Sequence, residues 1–312
     1  AEHQLLKRKC AVKLIRRDKA SNRRMLARFE REVKATAQLT HWNTVQVYDY
    51  GCTPGGTFYY AMEYLQGLNL RQLVDKFGPL PPGRVVFILK QLCGALHEAA
   101  RYGLVHRDIK PSNIFVTERG QMHDVAKLLD FGLVRPASLG NSPIRNLNHQ
   151  LQGSPRFMCP EQARGQKPDC RGDLYSLACV AYYLLSGRAP FEDDNPVMLV
   201  MAHGSIPAPP LHEICVDVPR DLSDVVMKCL SKNPADRYQT PRELQDAFDQ
   251  CACVRDWSWT HAERWWLANP DGTHHQICEQ TSVTMETRPV ERAPNPAFDP
   301  TVVCEDFFHS VF

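Results

Sequence analysis

The sequence predicts an α+β chain of two lobes, a small β-rich one followed by a larger helical one, with an appendage at the C-terminal end. Three observations predict it. Strand-like segments are concentrated before Gly67, and helical patterns with only short strands follow it. One later segment, residues 173–186, is apolar nearly all round, as expected of a helix in the middle of a lobe. The 312 residues, 43% of them hydrophobic, are enough for one large core and an appended segment without help from disulfides.

The elements follow in order. Cys10-Ala11-Val12-Lys13-Leu14-Ile15 reads as a strand. Residues 21–39 read as a helix, capped by Ser21 or Asn22, with Leu26, Phe29, Val33 and Ala37 forming an apolar stripe at helical spacing. Val45–Tyr50 and Thr57–Tyr64 read as two strands separated by the turn signal Pro54-Gly55-Gly56. Leu80–Tyr102 is a long helix, opened by Pro81-Pro82 and closed before Gly103. Leu222–Leu230 and Pro241–Cys251 are further amphipathic helices. The composition changes near residue 252: Trp257, Trp259, Trp265 and Trp266 cluster, and residues 281–312 are rich in Thr, Pro and Glu. The expected divisions are residues 1–65, 66–251 and 252–312, with weak order beyond about residue 271.

Composition excludes several classes. The net charge is +2, from 37 basic and 35 acidic residues, which gives no reason to expect nucleic acid or a membrane surface as partner. Twelve cysteines are scattered with no Cys-x-x-Cys pair, which argues against a zinc site. Cys93, Cys179 and Cys229 lie in apolar runs and read as reduced core residues, suiting a cytoplasmic location. The longest apolar stretch, around Leu177–Leu185, falls far short of the roughly 20 residues of a membrane helix. The chain opens at Ala1 inside a strand pattern, without a signal peptide, and reads as a fragment or a truncated gene model.

The chemistry is concentrated in His106-Arg107-Asp108-Ile109-Lys110-Pro111-Ser112-Asn113, with Asp130-Phe131-Gly132 one β-hairpin further on and Cys159-Pro160-Glu161 beyond it. Phosphoryl transfer needs a carboxylate to orient a hydroxyl, a cation near the γ-phosphate and oxygen ligands for Mg²⁺. Asp108, Lys110, Asn113 and Asp130 are residues of those types, and several motifs in fixed order are a far stronger signal than any one of them.

On these motifs the chain resembles a bacterial serine/threonine protein kinase of the eukaryotic-like (Hanks) type, over roughly residues 1–250. The resemblance implies a protein-kinase-like two-lobed fold with ATP and Mg²⁺ in the cleft between the lobes. It implies that Lys13, in Ala11-Val12-Lys13, holds the α- and β-phosphates and that Glu32 pairs with it, Glu30 being the rival. Met62-Glu63-Tyr64-Leu65 resembles the hinge: backbone groups of Glu63 and Leu65 would bond the adenine edge, Met62 would back the pocket, and Ala11 and Phe115 would sandwich the ring. Asp108 would orient the substrate hydroxyl, Lys110 would offset γ-phosphate charge, and Asn113 and Asp130 would hold Mg²⁺. His106 would be a packed histidine under Phe131. Asp173 would hold the backbone of the 106–113 loop, and Glu161 would pair with Arg237. Arg107 implies an activation segment that phosphorylation can order, with Ser138 or Ser142 as sites of autophosphorylation between self-associating copies. Ser154 would support Asp108 and Lys110. Asn69 and Ser112 would lie along the substrate peptide, where a strong preference for arginine is not expected.

One departure stands out. The family's glycine-rich loop precedes the strand lysine, yet none of the 12 residues before Lys13 is glycine, and Ala1-Glu2-His3 resembles the end of the strand that follows such a loop. As written, this chain is expected to bind ATP weakly. The alternative reading is a pseudokinase scaffold that binds partners without catalysis; a third is a small-molecule kinase of the same fold, which Pro160-Glu161 and Ser154 argue against in favour of protein substrates. The tryptophan cluster reads either as a helix packed on the helical lobe or as a docking site for a partner, and Thr301 as a phosphothreonine ligand.

Overall fold

The computed structural model describes residues 1–3, 7–15, 33–53, 57–131 and 155–270. Glu32, Gly132, Ser138, Ser142, Ser154 and Thr301 therefore lie outside the described residues, as does most of the expected 21–39 helix; its described end, residues 33–36, is helical. The chain divides into two compact units, Ala1–Cys278 and Glu279–Phe312, and only the first contains described residues.

The N-terminal part is an antiparallel four-stranded sheet in the order β1-β2-β4-β3, with β1 Glu2–His3, β2 Arg8–Ile15, β3 Val47–Cys52 and β4 Phe58–Glu63. Direct pairing of Lys13 with Tyr60 and of Ala11 with Met62 fixes the register of the two central strands. Side chains alternate along a strand, so Ala11, Lys13, Tyr60 and Met62 share one face while Val12 and Leu14 take the other, where both are exposed.

A second, three-stranded sheet, β5 Gly67–Asn69, β6 Ile114–Arg119 and β7 Met122–Leu128, carries the loops on either side of the expected catalytic residues. Gly67 is required there: at φ 150°, a Cβ would sit 2.1 Å from the Val116 carbonyl oxygen. Asn69 then caps α1, Leu70–Phe77, through a capping box with Gln72.

The helical lobe is built on α2, Pro82–Arg101, and α3, Cys170–Ser186. The diproline opens α2 as expected, because proline at the first helical turn removes no hydrogen bond. In α3 Leu174, Leu177, Cys179, Val180, Ala181 and Leu184 are all buried, which accounts for its all-round apolar sequence. Around them pack α4 Pro196–Ser205, α5 Arg220–Cys229, α6 Pro241–Asp249 and α7 Trp259–Ala268. Cys253 and Trp266 belong to the same apolar core as α2 and α3, so the described part of the tryptophan-rich segment is packed on the helical lobe. Among the described residues no helix is long and apolar enough to cross a membrane.

Candidate active site

The 106–113 loop is held from beneath by α3. Asp173, on its first turn, accepts the His106 and Arg107 backbone N–H groups at 2.7 and 2.8 Å. These bonds allow Arg107 its left-handed φ of 63°. Burial pushes the Asp173 carboxyl up from its ordinary range, against the pull of His106 and the two amides. His106 is fully buried; its Nε2 meets the Leu129 carbonyl at 2.8 Å and its ring lies 4.8 Å from that of Phe131. Histidine here joins the loop to the residues flanking Asp130, as a packing and bonding element.

Within the loop, Lys110 Nζ donates to Asp108 Oδ2 at 2.9 Å, and Asn113 Nδ2 donates to the Asp108 carbonyl at 2.9 Å and to Oδ2 at 3.1 Å. The Asn113 carbonyl accepts from Leu129 N–H at 2.9 Å, placing Asp130 one residue from the loop. Asp130 has φ 56°, and its carboxylate reaches the first sheet: Lys13 Nζ contacts Oδ2 at 2.5 Å and the Tyr60 hydroxyl donates to Oδ1. Burial, and then the Asp130 carboxylate, push the Tyr60 phenol well up, so it remains a donor. The fold thus unites Lys13, Asp108, Lys110, Asn113 and Asp130 from separate segments.

The hinge residues are placed as follows. Glu63 ends β4, and its N–H donates to the Gln46 carbonyl at 2.9 Å. The Glu63 N–H is thus engaged within the protein. The Glu63 side chain is buried against Lys127 Nζ at 2.6 Å and meets Arg119 at 3.2 Å. Burial lowers the Lys127 pKa, which the bond to Glu63 opposes. That pair ties the end of β4 to β7. Leu65 is half-buried in the segment leading to β5, and Phe115 is half-buried on β6, paired with Asn69 and Lys127.

The donor chemistry fits a hard divalent cation. Asp130 offers a carboxylate, and Asn113, its Nδ2 turned to Asp108, offers an amide oxygen. No group of three or more His, Cys, Asp or Glu among the described residues could hold a metal by itself. A cation here needs further oxygens, as Mg²⁺ does when it is held by one or two protein groups and a substrate's phosphates.

Sequence reasoning missed Tyr60 and Lys127. Both are found only through register: Tyr60 is one of three aromatic residues in Phe58-Tyr59-Tyr60, and nothing local distinguishes it. Elsewhere in the lobe Arg237 meets Glu161 at 2.8 Å and donates to the Arg171, Ser231 and Lys232 carbonyls, the expected scaffold pair.

A small antiparallel sheet whose lysine meets an aspartate behind a His-Arg-Asp loop, over a helical lobe, defines the protein-kinase class of fold. Residues 1–248 match the family model described as "Protein kinase domain", and the chain belongs to that family. It is 40% identical over 245 residues to serine/threonine-protein kinase PknB of Mycolicibacterium smegmatis, covering 77% of this chain and 38% of that one. It is 38% identical over 229 residues to serine/threonine-protein kinase pkn3 of Myxococcus xanthus, covering 72% and 42%. The chain therefore spans about two fifths of the length of these curated relatives. Among solved structures, the Mycobacterium tuberculosis PknI kinase domain matches with TM-score 0.61 at 29% identity, over 77% of this chain and 85% of that one. Membership of the family implies ATP and a divalent metal.

Proposed function

We propose that this chain is the catalytic domain of a bacterial serine/threonine protein kinase, transferring the γ-phosphate of ATP, with Mg²⁺, to Ser or Thr hydroxyls of proteins. The observation that carries the reading is the pair of bonded sets, Asp108 with Lys110 and Asn113, and Lys13 reaching from the sheet to Asp130, joined through the backbone bond from Leu129 N–H to the Asn113 carbonyl.

Each residue has a role that its position suits. Asp108 orients the attacking hydroxyl and takes its proton. Lys110, 2.9 Å from that carboxylate, supplies positive charge beside the transferred group. Lys13, a compact ammonium on a flexible stem, serves the phosphates, with Glu32 as its partner in the same proposal. Ala11, Met62, Phe115 and Leu65, with the Glu63 carbonyl, form the adenine pocket. Asn113 and Asp130 would hold Mg²⁺, which would supply positive charge to offset that of the phosphates. Autophosphorylation between copies at Ser138 or Ser142 belongs to the same reading, on the strength of Arg107. So does a cytoplasmic location, supported by the ten described cysteines, all of them free thiols.

The test is transfer of labelled phosphate from Mg-ATP to a generic protein substrate, with Asp108→Asn as the control. Incorporation well above the control supports the kinase reading. Incorporation equal to it favours the scaffold, and a metabolite labelled in preference to any protein favours the small-molecule kinase.

A further inference from the structure

We infer that Tyr60 is a positioning residue whose phenol O–H sets the Asp130 carboxylate for the divalent cation. The inference rests on the reading of Asp130 as a metal ligand. Tyr60 also packs with Val33, Val47, Tyr50, Phe58 and Met62, a core role that phenylalanine would fill as well. The hydroxyl is what packing leaves unexplained. A buried phenol is costly unless its hydroxyl is bonded, and this hydroxyl is directed at one atom of the candidate site.

The geometry gives the bond a purpose. The last torsion of an aspartate is broad, so a carboxylate held at one oxygen can still turn. Here both oxygens are held from the same sheet. Lys13 takes Oδ2 and Tyr60 takes Oδ1, and the two are directly paired across β2 and β4, so one rigid cross-strand pair fixes both. The Lys13 ammonium also lies 5.9 Å from the Tyr60 ring centroid, within reach of a weak cation–π attraction. On the other side, the Asp130 backbone is fixed in its left-handed conformation by the bonds of Leu129 to Asn113 and His106. Each carboxylate oxygen keeps a second lone pair, so ligation remains open while rotation does not. Partners that orient a ligating carboxylate act on metal affinity even though they never touch the metal.

The experiment uses the full chain with Mn²⁺ as the probe, its binding followed by water-proton relaxation in the presence of a non-hydrolysable ATP analogue. Tyr60→Phe is expected to weaken Mn²⁺ binding by about 10-fold, while nucleotide affinity without metal and the melting temperature stay near wild type. Incorporating 3,5-difluorotyrosine at position 60 restores the donor and is expected to restore the metal affinity. Wild-type Mn²⁺ binding in Tyr60→Phe overturns the inference, and so does a loss that difluorotyrosine fails to repair, since that loss would be one of packing. Asp130→Asn separates the two levels of the argument. If it binds Mn²⁺ as the wild type does, the reading of the cleft fails; if it loses the metal while Tyr60→Phe does not, only the role of Tyr60 fails.

Discussion

Asp108 shows how much a single side chain is asked to do. Its Oδ2 receives both Lys110 and Asn113, so the carboxylate is held by two donors before any substrate arrives. Asp108→Asn keeps the shape and removes the proton acceptor. The expected result is a loss of phosphotransfer of about 10²–10⁴-fold with an unchanged melting curve, measured by initial rates beside a thermal scan. His203 sets a different residue-scale expectation, for stability. It is fully buried on α4, 3.0 Å from the Tyr175 hydroxyl. Burial, and then the charge of Lys232, hold its pKa down to about 3 from the ordinary 6.5. The folded histidine stays neutral while the unfolded chain takes up a proton, so its contribution is whole above pH 6.5 and is lost as pH falls toward 3. Urea unfolding across that window should show wild type losing several kcal/mol more than His203→Gln, on the order of 1.4 kcal/mol for each pH unit crossed. Equal acid slopes in the two proteins would show that His203 does not titrate this way.

At the scale of elements, α2, β7 and α7 are joined around one buried ion pair. Arg84 grips Asp124 with Nε at 2.9 Å and Nη2 at 2.7 Å, and both residues are fully buried. Asp124 accepts two more bonds, from the Trp257 and Trp266 indoles at 3.0 and 2.7 Å, while the guanidinium lies 3.8 Å from the Trp265 ring centroid. A carboxylate with four donors is satisfied; remove it, and a guanidinium and two indoles are left buried without it. Asp124→Ala should therefore cost about 3–5 kcal/mol, read as a fall in the urea midpoint at constant slope. None of this was legible in the sequence. Arg84 looked like an ordinary first-turn residue of a correctly placed helix, and its partner lies 40 positions away at a left-handed β-hairpin residue. Where the signal was local, it was readable: the diproline start of α2, the apolar wrap of α3 and β4 after its Pro-Gly-Gly turn signal all fall within a few residues of the expected bounds. The short β5 and the capped α1 escaped notice because three residues carry too little alternation, and a capping box is recognisable only once the strand before it is known. The cluster of Lys13, Asp108, Asn113 and Asp130 was legible for another reason, since a fixed order of motifs carries across a family. Tyr60 belongs to no such motif.

For the molecule as a whole, the question is whether the tryptophan-rich segment unfolds with the helical lobe or apart from it. The chain has five tryptophans, at 42, 257, 259, 265 and 266. Trp259 meets Phe87 of α2 edge-on at 4.6 Å and Trp42 at 6.0 Å; Trp265 meets Phe77 of α1 at 4.7 Å and Trp266 at 5.0 Å. Intrinsic tryptophan fluorescence consequently reports on this packing alone, while far-UV circular dichroism reports on all the helices. Because Trp266 shares the core of α2 and α3 and bonds the buried Asp124, the segment cannot leave without exposing the ion pair. The two signals should then trace one coincident transition in urea, the behaviour of a single cooperative unit. Deleting residues 252–312 should lower the midpoint of the dichroism transition or abolish its cooperativity, since the deletion exposes Arg84 and Asp124 together. A fluorescence change that precedes the dichroism change, with the truncated chain as stable as the whole, would instead make the segment a detachable arm resting on the lobe.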